Sequence, residues 1–435
     1  MSSFKLKLLK GLAWRFGYYV SAFILNILIA HYLGASKSGV FYLLLNNLAF
    51  VVLVLSVGID SGIGYFNARK EIGPGQFLSL SFLWVLVAAV ILAGIYWAGL
   101  YFHFIIASSL TIYGFIYIAF SLLSTFLNAI VFSMGDDKTP SLIFTIVNII
   151  LIFLLPGNPL VTKIVSPDLY TKLYLLAAIL PAIIFFFILL QRKINFSFTG
   201  PGFLLQQKFL RFILQSFLFS LLYTLLLRCD YWVVNYFCSD ADLGNYLQTV
   251  KLNQLVLLIP ALASFTLFPL IVSQVHQQKM VEAKVVTLVK IYFFIGLAIC
   301  LAVILTGYWM LPVIYGESFS KMYPVFILLS PGILSLAAAY PLNTFFAGKD
   351  LIVVNIKAIF FSIIILLLLD FLVIPYYGIY GAALASTAGY GFYFMYLLIK
   401  FKKKHPFNIK ALFDLRKLIK ENHHQFFNIK LQNED

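Results

Sequence analysis

"LAWRFGYYVSAFILNILIAHYL" (residues 12–33) follows a basic start, "MSSFKLKLLK" (1–10), and how it is read decides the fold. A basic N-terminus ahead of an apolar run is the outline of a secretory signal. This run passes 20 residues and shows no small-residue cleavage pattern, so it reads as a membrane-spanning helix. Similar stretches recur to about residue 400. Hydrophobic residues make up 62% of the chain and charged residues 11%, against about half and about a quarter in ordinary globular domains. The 45 Phe and 26 Tyr exceed what one soluble core absorbs. Lipid offers the backbone no hydrogen-bond partner, and the segments are too long for strands, so the expected fold is an all-α polytopic membrane protein.

Apolar windows and the breaks between them predict about twelve transmembrane helices, near 12–33, 40–66, 77–101, 105–133, 141–155, 168–190, 209–237, 244–273, 288–311, 322–347, 351–374 and 379–400. The fifth is the shortest. With both termini cytoplasmic, 24 of the 31 Lys and Arg fall on the inner side and four (Lys37, Lys163, Lys172 and Lys321) on the outer. That asymmetry is the positive-inside pattern of an even-numbered bundle. The net charge of +15 is thus mainly a cytoplasmic-face signal and does not point to nucleic acid. The tail, 401–435, opens with "FKKKHP", and "NIKALFDLRKLIK" is expected to form an interfacial helix on anionic membrane lipids.

The chain also resembles itself. "YLGASKSGVFYLL" after the first span matches "FCSDADLGNYLQT" after the seventh; "FSMGDDKTP" after the fourth matches "FFAGKDLIV" after the tenth. Matching cues leave the same side of the membrane, which predicts two parallel six-helix lobes, 1–195 and 196–400.

Signals for chemistry are sparse. Cys229, Cys238 and Cys300 make neither a disulfide framework nor a zinc set, and no metal or other cofactor is expected. Asp240-Ala-Asp242 is the only D-x-D; it reads as a solvated turn before a helix, with a metal-dependent glycosyltransferase as the rival reading. No phosphate-binding glycine loop with its lysine is present. The expectation is a protein that is not an enzyme.

Buried charge carries the information. "LLLRCDYWVVN" (225–235) places Arg228 and Asp230 inside the seventh span. Such residues cost roughly 2.5–3.5 kcal/mol each at a helix centre and tend to face a cavity or a partner. Arg228 lies about 15 Å from the outer end at the helical rise, and Lys251 enters the eighth span to similar depth. Residues two apart point to different helix faces, so Arg228 and Asp230 do not simply neutralise each other. Two readings stand for both cations, a cavity lining or an interhelical pair. Arg15 and Asp60 lie near inner helix ends and Asp370 near an outer one, where a structural role weighs at least equally. Asn26 and Asn253 are either interhelical hydrogen-bonders or the lining of a sugar path.

"KGLAWRFGYYVSAFILNILIAHYLGASKSGVFYLL", "RCDYWVVNYFCSDADLGNYLQT", "VIYGESFSKMYPVFILLSPGI", "FFAGKDLIVVN" and "FLVIPYYGIYGAALASTAGYG" resemble, in this order, the polysaccharide (O-antigen-type) flippases of the multidrug, oligosaccharidyl-lipid and polysaccharide (MOP) exporter superfamily. The resemblance spans about residues 5 to 400. It implies two lobes in a V with alternating access. It implies transport of a polyprenyl-diphosphate-linked oligosaccharide from the cytoplasmic to the periplasmic leaflet of the inner membrane, with other polysaccharide-assembly proteins as further partners. On it, Arg228 and Lys251, with Asn26 and Asn253, are the expected substrate contacts. Asp230, Asp60 and Arg15 are the expected ion-coupling or gating residues. A multidrug cation antiporter and a membrane-embedded polymerase or ligase are the alternatives.

Overall fold

The computed structural model describes residues 3–102, 109–155, 166–197, 206–273 and 278–404. The expected tail helix, 408–420, lies outside them. Among the described residues every regular element is helical: α1 (Ser3–Ser56), α2 (Ile59–Ala68), α3 (Pro74–Tyr101), α4 (Ser109–Ser133), α5 (Lys138–Phe153), α6 (Pro167–Leu176), α7 (Ile179–Gln191), α8 (Gln207–Phe237), α9 (Asp240–Ser273), α10 (Gln278–Tyr315), α11 (Met322–Gly348) and α12 (Ile352–Lys404), with a 3-10 turn at Glu317–Phe319. Eight stretches among them are long and apolar enough to cross a membrane.

These elements follow the twelve expected windows once their breaks are noted. Two windows share α1 and two share α12, each pair separated by one glycine. Gly34 (φ 70°, ψ 174°) and Gly378 (φ 56°, ψ −138°) leave helical geometry in the left-handed region, where a side chain would clash with its own backbone. The second window bends again at Val57 and Gly58, both at positive φ, and resumes as α2. The sixth is divided into α6 and α7 by Ala177 and Ala178, which stay close to helical dihedrals. α5, with 16 residues, is the short fifth rod.

The chain forms two compact units, Met1–Leu221 and Leu222–Asp435. The division falls inside α8, whose first turns pack on the first unit. The first turns of α8 bury Phe209 and Ile213 in the apolar core of the first unit with Phe66, Phe77 and Phe126. Gly58 and Gly62 let α2 lie directly against them; a Cβ on Gly58 would meet the Ile213 carbonyl at 2.4 Å.

Each unit is organised around one helix. In the first, α4 packs against α1, α2, α3, α5, α6 and α7; in the second, α11 packs against α9, α10 and α12. These are the fourth and tenth expected spans, which the matched "FSMGDDKTP" and "FFAGKDLIV" had paired. Lipid supplies no hydrophobic drive between helices, so close approach and polar bonds hold them. Gly332 of α11 allows contact with α12, where a Cβ would sit 2.7 Å from the Thr387 Cα, and Thr387 Oγ1 donates to the Leu328 carbonyl at 2.7 Å. In the first unit Asn67 donates to Ser133 at 2.7 Å and Asn148 to Ser21 at 3.0 Å, tying α2 to α4 and α5 to α1.

Ion pairs close one end of the first unit. Arg15 lies 2.7 Å from Asp137, with its guanidinium 4.5 Å over the Phe132 ring. Arg192 pairs with Asp136, whose Oδ1 also accepts from the Thr139 backbone N–H. Burial disfavours the charged Asp136 carboxyl, but the Thr139 and Arg192 bonds outweigh it and hold its pKa below the ordinary value.

Candidate functional site

The two charges of "LLLRCDYWVVN" are separated by the helix that carries them. On α8, Asp230 is fully buried while Arg228, two residues earlier, is only half-buried. A two-residue step turns about 200° around a helix, so the two side chains leave opposite faces.

Asp230 sits where segments of α8, α9 and α12 meet in the second unit. Tyr246 Oη of α9 donates to Asp230 Oδ2 at 2.5 Å, and Ser386 Oγ of α12 donates to the same oxygen at 2.9 Å. The two hydroxyls are themselves 3.1 Å apart. Asp230 Oδ1 is buried with no hydrogen-bond partner. Asp370, from the half of α12 before Gly378, is also fully buried, and neither of its carboxylate oxygens has a partner. The two carboxyls interact electrostatically. Three buried carboxylate oxygens therefore lack donors, in a setting where such groups ordinarily find them. Two interacting carboxyls in low dielectric repel strongly when both are ionised, so such an arrangement favours a proton or a cation on one of them.

Arg228 leaves the face of α8 opposite Asp230. Arg228 and Lys251 of α9 are both half-buried, and their charges act on one another.

The other expected site residues are placed elsewhere. Asn253 is completely buried in α9; its Nδ2 donates to the Thr249 carbonyl at 3.3 Å and its Oδ1 has no partner. Asn26 is half-buried in α1, and its carbonyl accepts from Tyr42 Oη at 3.0 Å. Asp60 lies in the first turn of α2, bonded to the Ser56 hydroxyl across the Val57–Gly58 break. Arg15 is engaged with Asp137. These last three belong to the first unit. Asp242, half of the D-x-D, caps a turn: Ser239 Oγ donates to it at 2.8 Å and Lys321 lies 2.6 Å away. Among the described residues no group of three or more His, Cys, Asp or Glu is arranged to hold a metal ion.

Sequence reading missed Tyr246, Ser386 and the weight of Asp370. The signals were present as an acid in "LLLLDFLVI" and the tyrosine of "LGNYLQT", but nothing in the order of residues brings α9 and α12 to α8.

The family described as polysaccharide biosynthesis protein matches residues 172–324, a stretch that includes Arg228, Asp230, Tyr246 and Lys251. No curated protein matches the chain. Among solved structures, the lipid II flippase MurJ in an inward closed conformation superposes with a TM-score of 0.71 at 16% identity, over 99% of this chain and 92% of that one. An inward-facing multidrug MATE transporter of the MOP superfamily gives 0.70 at 14% identity, over 91% and 95%. A MOP superfamily transporter from Pyrococcus furiosus gives 0.65 at 14%, over 94% and 95%. Similarity at this identity speaks for the fold, and it runs the length of both chains. The chain is an all-helical, multi-pass membrane protein that shares the fold of these solved structures, with a polysaccharide-biosynthesis family match across its middle third.

Proposed function

We infer that the chain is a transporter that carries a polyprenyl-diphosphate-linked oligosaccharide from the cytoplasmic to the outer leaflet of the inner membrane. Both termini are cytoplasmic on this reading, as the distribution of Lys and Arg suggests. The observation that carries it is the separation of charge on α8, where Arg228 and the buried Asp230 leave opposite faces, with Arg228 acting on Lys251 and Asp230 on Asp370. The cationic side suits a diphosphate or an acidic sugar, and a guanidinium stays charged at any working pH. The acidic side suits the coupling ion, H⁺ or Na⁺. Each ion moved down a membrane potential contributes about 2.3 kcal/mol per 100 mV, enough to bias a transport cycle. The family match and the likeness to a lipid II flippase support a lipid-linked saccharide as cargo.

The test is outward movement of a labelled polyprenyl-diphosphate oligosaccharide in proteoliposomes. The native chain and Arg228→Lys move it, while Arg228→Ala, at equal protein level, does not. Equal transport by Arg228→Ala removes the anion role. The buried carboxylates and the likeness to MATE transporters favour a second reading, a cation antiporter. Export of an organic cation by the native chain, with no movement of the lipid, would establish that reading instead.

A further inference from the structure

The first unit carries a cavity of about 400 Å³ that the transport reading does not use. It lies between the end of α2 and the first two turns of α8, lined chiefly by Tyr65, Phe66, Lys208, Arg211 and Phe212. Tyr65 and Phe212 stack at 4.4 Å between ring centroids, and Phe66 meets Phe212 edge-on at 5.7 Å, which gives the cavity an apolar wall. The cationic side is unevenly neutralised. Lys208 reaches Glu71 at 2.8 Å, and Arg69 shares that same carboxylate at 2.8 Å. Arg211 has no carboxylate partner among the described residues. One acid thus faces three cations around a pocket whose other wall is aromatic.

We propose that this cavity binds the phosphate of an anionic phospholipid, with Arg211 and Lys208 on the headgroup and the Tyr65–Phe66–Phe212 rings against the glycerol and upper acyl carbons. The volume falls in the range of small-molecule sites. Basic pockets beside transmembrane helices are places where anionic headgroups settle. A guanidinium holds a phosphate through two parallel N–H bonds, and the aromatic wall offers apolar surface to the lipid's carbons. The site sits on α8, the helix that continues across the boundary between the two units, so its occupancy bears on the element that also carries Arg228 and Asp230.

Native mass spectrometry of the full chain, titrated with phosphatidylglycerol or phosphatidylcholine, tests the assignment. Phosphatidylglycerol binds at one saturable site, and Arg211→Gln and Lys208→Gln each weaken it about tenfold, the loss of one charge-assisted bond. Lys402→Gln leaves it unchanged. Both cations are exposed, so the variants keep the fold, which an unchanged melting temperature confirms. Undiminished binding by Arg211→Gln, or equal binding of phosphatidylcholine, overturns the proposal. Displacement by inorganic phosphate at equal concentration would assign the cavity to a free anion. Displacement by a short polyprenyl diphosphate well below the phosphatidylglycerol concentration would assign it to the transported lipid. Either result overturns the phospholipid assignment.

Discussion

Tyr246 Oη donates to Asp230 Oδ2 at 2.5 Å in the interior of the second unit, and Ser386 donates to the same oxygen, leaving Asp230 Oδ1 with no donor. Both hydroxyls thus serve one oxygen, and the carboxyl also interacts electrostatically with Asp370. A purely structural carboxylate would be expected to have both oxygens served, since an unmet buried acceptor costs about 1–3 kcal/mol.

Tyr246→Phe removes one of these donors without changing the ring. It is expected to destabilise the protein by about 1–3 kcal/mol, with Ser386 retained as a donor. Thermal unfolding in detergent reads the loss. A melting temperature equal to that of the native chain would show that the bond contributes nothing.

Asp370→Asn keeps the shape of the side chain and removes one of two interacting buried carboxyls. That relieves the repulsion between the two acids, so the variant is expected to melt higher than the native chain. On the coupling proposal it also loses the dependence of transport on pH or sodium, and Asp230→Asn does the same. Transport profiles across both variables, recorded for each variant, decide the matter; unchanged profiles would remove the pair from ion coupling.

Gly332→Val drives a side chain into the α12 backbone beside Thr387. A cost of about 1–3 kcal/mol is expected, the usual range for overpacking. Gly64→Ala is the control, because a Cβ there meets nothing within 4 Å. Yield and melting temperature of the two variants should separate clearly.

Arg15 was a candidate gate and is found bonded to Asp137, with side chains 18% and 32% exposed. If the pair only ties α1 to the α4–α5 turn, a double-mutant cycle of Arg15→Met and Asp137→Asn gives a coupling of about 1 kcal/mol in stability. The transport profile against pH and sodium then stays that of the native chain. An altered profile in either single variant would restore the gating role.

Acid sensitivity should be read at the Asp242–Lys321 pair. Burial raises the Asp242 carboxyl, but the bond from Lys321, with Ser239, more than offsets this and its pKa is depressed. A depressed carboxylate contributes stability above its unfolded value and loses it as pH falls through the folded value, below the ordinary aspartate range. Lys321 is raised, mainly by its bond to Asp242, so its contribution is present below its unfolded value and fades only as pH climbs through the higher folded one. Lys321→Met is expected to flatten the acid limb of a melting-temperature profile by a small amount, since the lysine is about half exposed. A profile parallel to the native one would discount the pair.

The linear order of residues determined that this is a helical membrane protein. Twenty-residue apolar runs admit no other backbone solution in lipid, and the breaks at Gly34 and Gly378 fall where the windows divide. It also exposed Arg228 and Asp230 as anomalies, because a charge in an apolar run is visible without any neighbour. Tertiary structure decided what those charges meet. Asp230 bonds to residues 16 and 156 positions away, and Arg15 to one 122 away, separations that no local spacing encodes. It likewise decided where the first unit ends. Apolarity says that a helix is buried in something, whereas the choice between lipid and a neighbouring helix is made by complementary shape, such as Gly58 and Gly62 against Ile213 and Phe209.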